Sequence, residues 1–216
     1  MTPPVAWDPR DRVGLVPRRR GRRRPRLFVV AVEGESEEPD YFSTLEGLGV
    51  VAPHHLVVLP PTQDPTAASH ERGSDPASSL DRLVDYVAGQ IPAKLDDADE
   101  FWLVVDVDRH HTLGPTLGRL RRRGRQWAAA VSNPCFEVWL QLHLVDVAGF
   151  EGRAKAASQR AKRRWRSLKA AHDPVRLSRR MVELAIERSR ATDEGGDVPA
   201  ACRSHVHRLV ERLLAD

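Results

Sequence analysis

The sequence predicts an α/β fold: a small parallel sheet flanked by helices, followed by an α-helical C-terminal extension. Three observations carry this. Between residue 27 and about 150, short β-branched apolar runs alternate with segments of helical periodicity, the pattern of βαβ units. The best runs are apolar throughout, which marks strands covered on both faces. From about residue 151 onwards only helical periodicity remains.

The elements follow in order. "RLFVVAV", residues 26 to 32, is the first strand. Tyr41, Phe42, Leu45 and Leu48 then recur at helical spacing, with Gly47 and Gly49 placed to end the helix. "HHLVVLPP" is a weaker second strand, stopped by Pro60 and Pro61, and the Pro- and Ser-rich stretch after it reads as an exposed loop. Asp75 and Pro76 suit an N-cap and first helical position, ahead of a stripe of Leu80, Leu83, Val84, Val87 and Ile91. "EFWLVVDVDR", residues 100 to 109, is the third strand, "TLGRLRRRGR" a short basic helix and "QWAAAVSN" the fourth strand. "NPCFEVWLQLHL" reads as a helix with Asn133 as N-cap and Pro134 at its first position. Phe136, Trp139, Leu140 and His143 share one face of it, which favours a core histidine over a site role for His143. Further on, Leu177, Met181, Leu184 and Ala185 form one stripe, and Val206, Leu209, Val210, Leu213 and Leu214 another.

The 216 residues contain 34 Lys+Arg and 30 Asp+Glu, a net charge of +4. Residues 1 to 26 hold nine Arg and two acids, a net of +7, so the remainder carries 25 basic against 28 acidic residues. A basic arm over residues 1–26, expected to be disordered, therefore precedes an α/β domain over 27–150 and a helical extension over 151–216 packed on it. Arg18, Arg19, Arg20, Arg22, Arg23 and Arg24 of the arm, and Arg121, Arg122 and Arg123 of the basic helix, are candidate phosphate contacts. A solubilising tail is the alternative for the arm. No apolar run approaches the roughly 20 residues of a membrane span, no secretory leader is evident, and a cytoplasmic protein is expected. Cys135 and Cys202 show neither a disulfide framework nor a zinc spacing.

The acidic residues are the most informative. "VVAVEGESEEPDYF" places Glu33, Glu35, Glu37, Glu38 and Asp40 where a strand gives way to a helix. In a parallel sheet, ligands collect at the carboxyl ends of the strands. Glu33 ends the first strand, with Gly34 permitting a tight turn. Asp106 and Asp108 end the third, where a period of two puts both on one side. Carboxylates meeting at one edge repel unless a cation neutralises them. An oxygen-only site suits Mg²⁺ or Mn²⁺ and supports phosphoryl transfer. Glu37 is a candidate fourth ligand, whereas Glu35, Glu38 and Asp40 are expected to face solvent or the helix dipole. Asn133 and Glu137, after the fourth strand, are secondary candidates that a cap and a dipole partner explain equally well. Arg109, His110 and His111 read either as surface loop residues or as a basic group that holds the leaving group.

Glu33-Gly34 followed by Asp106-Val107-Asp108 resembles the Toprim domain of topoisomerases, primases and overcoming-lysogenization-defect nucleases. The resemblance implies an acid/base role for Glu33, Mg²⁺ binding by the two aspartates, and, as in the nuclease branch, a metal role for Glu37. "VVAVEGESEEPDYF", "FWLVVDVDR" and "SNPCFEVWLQLH" in this order resemble the RloB family over residues 27 to 145, and "SHVHRLVERL" extends the likeness near the C-terminus. That family's genes lie near restriction and anti-phage systems, often beside a predicted ATPase. The resemblance implies a Toprim-like sheet and a metal-dependent nuclease acting on DNA or RNA in anti-phage, abortive-infection defence. Its implied partners are nucleic acid and a partner ATPase. The rival expectation is a non-catalytic Toprim-like module that binds nucleic acid or regulates an ATPase. Topoisomerase activity is disfavoured because only Tyr41 and Tyr86 are present, and primase activity because zinc-ribbon cysteines are absent.

Overall fold

The computed structural model describes residues 26–34, 36–49, 51, 56–59, 84–85, 98–110, 113–124, 126–146, 154–172 and 176–215. The arginine-rich arm up to residue 25 lies outside them. So does the helix expected after Asp75, apart from Val84 and Asp85, which are helical.

The elements are β1 (Phe28–Val32), α1 (Glu37–Gly47), β2 (Leu56–Leu59), β3 (Glu100–Asp106), a 3-10 turn (Val107–Arg109), α2 (Gly114–Arg123), β4 (Trp127–Asn133), α3 (Glu137–Leu142), α4 (Ala154–Ala171), α5 (Arg179–Arg190), β5 (Arg203–Ser204) and α6 (Val206–Leu214). One sheet runs in the order β2-β1-β3-β4-β5. The first four strands are parallel, and β5 pairs antiparallel with the end of β4. The predicted α/β class and its four strands are present. The C-terminal third is not helical throughout, because Arg203 and Ser204 close the sheet's edge against Asn133 and Ser132.

Alternation along the strands divides the core into two layers. Phe28, Val30, Val32, Trp102 and Val104 pack with Tyr41, Phe42 and Leu45 of α1, Phe136 and Trp139, Val182 and Ile186 of α5, and Leu209 and Leu213 of α6. Val29, Ala31, Phe101, Leu103 and Val105 face the other way, onto Val84 and onto Leu117 and Leu120 of α2. Withdrawing any one of the Val, Leu, Ile or Phe side chains from the core would cost about 1.5–3 kcal/mol. The strand ends are therefore held by packing, whatever happens at the sheet's edge.

Several local expectations shift. The helix after β4 does not start at Asn133: that residue ends the strand, the Asn133–Pro134 peptide is cis, and the helix begins at Glu137. α1 buries Tyr41, Phe42 and Leu45 but exposes Leu48 beside Gly49, whose φ of +65° suits glycine. In α5, capped by Ser178, the buried stripe is Val182, Ala185, Ile186 and Ser189, while Met181 and Leu184 stand at its margin. His143 is a core residue, as its spacing predicts. Its Nδ1 lies 3.2 Å from the Trp139 carbonyl, so Nδ1 carries the proton and Nε2 accepts from the Tyr41 hydroxyl at 3.2 Å.

Candidate functional site

The pairing of Val32 with Val104, and of Asp106 with Ser132, brings the carboxyl ends of β1, β3 and β4 level to within a few residues. Asp106, the last residue of β3, is buried among carboxylates. Burial raises its pKa well above the usual carboxylate range, and the negative charges of Glu38, Asp108, Glu137 and Glu33 raise it further. Five acidic side chains from four segments thus lie near one edge, where four of them act on Asp106.

Glu33 follows β1 directly. Its Oε1 lies 2.6 Å from Nε2 of His110, a residue only 4% exposed, and its Oε2 is buried without a hydrogen-bond partner. Of the two expectations for His110, the surface-loop one is overturned: the 3-10 turn after Asp106 folds its imidazole inward onto Glu33. His111 lies outside the described residues.

Glu38, expected to face solvent or the helix dipole, is 7% exposed. The reason is Gly34: a Cβ there would fall 1.8 Å from Glu38 Oε2, so the missing side chain makes the space the carboxyl occupies. Glu37, a candidate ligand by sequence, accepts a hydrogen bond from the Ser36 hydroxyl at 2.6 Å and is not among the charges that raise the pKa of Asp106. Asp40 is exposed, as expected, and Glu35 lies outside the described residues.

Asp108 reaches the cluster by a different route from the alternation expected of it. β3 stops at Asp106, and the 3-10 turn carries Asp108 round. Its backbone N–H donates to the Pro134 carbonyl at 2.9 Å, tying the turn to the end of β4. Its Oδ2 accepts from the Ser158 hydroxyl and lies 3.9 Å from Lys162 Nζ, both on α4, while Oδ1 is buried and unpartnered. Burial acts to lower the pKa of Lys162, but Glu137 and Asp108 outweigh it and hold the ammonium above its ordinary value.

Of the secondary candidates, Glu137 opens α3 and acts on both Asp106 and Lys162. Asn133 does not join them; its amide donates to the Pro199 carbonyl at 2.9 Å. Arg121, Arg122 and Arg123 form the last turn of α2, which leads from the carboxyl end of β3 back towards the start of β4. They lie at the opposite edge from the acids, and Arg121 and Arg123 pair with Asp197 and Asp85. Ser158 and Lys162 escape the sequence reading, while Glu38 and His110 enter it without being assigned to the acidic site. Only Glu38 had a local signal, a glycine four residues earlier.

The donor set is oxygen only, with two buried carboxylate oxygens left unpaired, a chemistry that fits a hard divalent cation such as Mg²⁺ or Mn²⁺. As placed, however, no three His, Cys, Asp or Glu side chains among the described residues stand together to hold an ion. Glu33 is turned to His110, and Asp108 to Ser158 and Lys162. Both cysteines are buried free thiols. Among the described residues, no helix is long and apolar enough to cross a membrane.

No curated protein and no solved structure matches the chain. A family model described as RloB-like protein matches residues 28–213, which includes every described residue of the acidic cluster and the helices that support it. The chain belongs to the RloB-like family.

Proposed function

We propose that the chain is a divalent-metal-dependent, Toprim-type nuclease that hydrolyses phosphodiester bonds in DNA or RNA. The observation that carries this reading is Asp106, buried at the carboxyl edge of a parallel sheet and crowded by Glu38, Asp108, Glu137 and Glu33. So much negative charge in one buried place calls for a counter-cation. Asp106, Asp108 and Glu33 would hold Mg²⁺ or Mn²⁺, with Glu38 in the place the sequence assigns to Glu37. When bound, the ion would polarise a phosphoryl oxygen and lower the pKa of a water. Glu33 would handle the proton of the attacking or leaving oxygen, with His110 fixing its orientation. Lys162 would offset negative charge beside Asp108. A cytoplasmic role in anti-phage defence beside a partner ATPase rests on family membership and on the resemblance set out above.

The test is cleavage of plasmid DNA, single-stranded DNA and RNA in Mn²⁺ by wild type and Asp106→Asn. Cleavage by wild type that Asp106→Asn lacks supports the reading; equal cleavage by both contradicts it. One observation favours the second reading, a non-catalytic module that binds nucleic acid or an ATPase: the carboxylates are engaged by His110, Ser158 and Lys162 instead of facing one another as ligands. Wild type that binds nucleic acid but cleaves none of the three substrates would favour it.

A further inference from the structure

We propose that α4 is the nucleic-acid track of this protein, and that a stripe of Lys155, Lys162, Arg166 and Lys169 carries a phosphodiester backbone past the acidic cluster. The inference deepens the nuclease reading and rests on it for the identity of the polyanion.

α4 has the sequence AKAASQRAKRRWRSLKAA, with seven Lys or Arg and no Asp or Glu. Its apolar face is narrow: Ala157, Ala161 and Trp165 are buried. Ser158 and Lys162, at one margin of that face, are the two residues that reach Asp108. With 3.6 residues per turn, Lys155, Lys162, Arg166 and Lys169 fall on this same margin, at i, i+7, i+11 and i+14. The stripe is about 21 Å long, roughly six base-pair rises of a duplex at 3.4 Å along its axis. Lys162 sits within it at the acidic edge, so a backbone lying on the stripe passes the carboxylates.

Neighbouring elements sharpen the contrast. The arginines of α5 are neutralised: Arg179 and Arg180 by Glu183 and Glu187, Arg188 by Asp146 and Arg190 by Glu211. At the end of α2, Arg121 meets Asp197 and Arg123 meets Asp85. Lys155, Arg166 and Lys169 are exposed, and among the described residues none is in an ion pair with an acid. Unpaired basic side chains in register along one helix margin suit a sequence-independent contact to phosphates.

The test is binding of the full-length protein to a fluorescein-labelled single-stranded oligonucleotide in EDTA across a salt series. Lys155→Ala/Arg166→Ala/Lys169→Ala is compared with Arg179→Ala/Arg180→Ala/Arg190→Ala, which removes three exposed but paired charges, and thermal melts confirm that both are folded. The α4 variant should bind more weakly, with the slope of log K against log salt shallower by about 2, at roughly 0.7 per single-strand phosphate contact. The α5 variant should keep the wild-type slope. An unchanged slope in the α4 variant, or the same loss in both, overturns the proposal. Because EDTA removes any metal-dependent chemistry, the two readings separate. A lost slope in a protein that never cleaves keeps the track and sinks the nuclease; an unchanged slope in an active enzyme does the reverse.

Discussion

His110 Nε2 lies 2.6 Å from Glu33 Oε1, joining the turn after β3 to the end of β1 across the acidic edge. A buried imidazole bonded to one carboxylate oxygen fixes where the other oxygen points, and that other oxygen, Oε2, has no protein partner. His110→Ala is expected to lower Mn²⁺ affinity or cleavage by roughly 10–100-fold, the usual loss when an orienting partner is removed. His110→Gln, which keeps a donor, should recover part of it. Titration calorimetry and initial cleavage rates read both variants, and equal behaviour of His110→Ala and wild type would remove His110 from the account.

Gly34 and Glu38 form a second coupled pair, because a Cβ at residue 34 would collide with the buried Glu38 carboxyl. Gly34→Ala should cost about 1–3 kcal/mol in urea unfolding. In a Glu38→Ala background the same change should cost at least about 1 kcal/mol less, within the range of coupling seen for residues in contact. Additive costs would mean that Glu38 does not occupy the space above Gly34.

Stability should fall in mild acid because of His143. Burial lowers its pKa from 6.5 to about 4, so the unfolded chain binds the extra proton first. The contribution is therefore complete above about pH 6.5, falls as pH drops through that window, and is gone below about pH 4. On the order of 3 kcal/mol is at stake, from about 1.4 kcal/mol per pH unit. Urea titrations at pH 7 and pH 4.5 should differ less for His143→Leu than for wild type. An identical pH dependence in the two would contradict the assignment.

Asp106 should be a liability to the metal-free fold. Replacing it by Asn removes a buried acid facing four others, and in EDTA at pH 8 the variant is expected to melt higher by about 2–4 °C per kcal/mol of repulsion relieved. A lower melting temperature would show that the cluster is stabilised from within.

Much of this was legible in the sequence, and the failures have physical causes. β1, and β3 from Phe101 to Val105, are apolar throughout because both faces are covered, so the strands and the acids that follow these runs are readable directly. Glu33, Asp106 and Glu137 follow from their places at strand and helix ends. The burial of Glu38 has no periodic signal, because the space over Gly34 is a matter of packing. Asp108 was placed by strand alternation, but the strand ends two residues before it. Ser158 and Lys162 come from a helix fifty residues further on and only tertiary contact brings them to Asp108, so no spacing could announce them. Composition makes the basic helix ending at Arg123 a candidate for phosphate contacts, but its place at the edge opposite the acids follows from connectivity, which composition does not carry.

The most direct test of the central claim is calorimetric titration of Mn²⁺ into wild type and Asp106→Ala/Asp108→Ala, with and without a short oligonucleotide and with folding checked by circular dichroism. The account predicts saturable binding to wild type, tighter with the oligonucleotide, and none to the double variant. Binding of equal strength to both proteins, or to neither even with the oligonucleotide present, would contradict it.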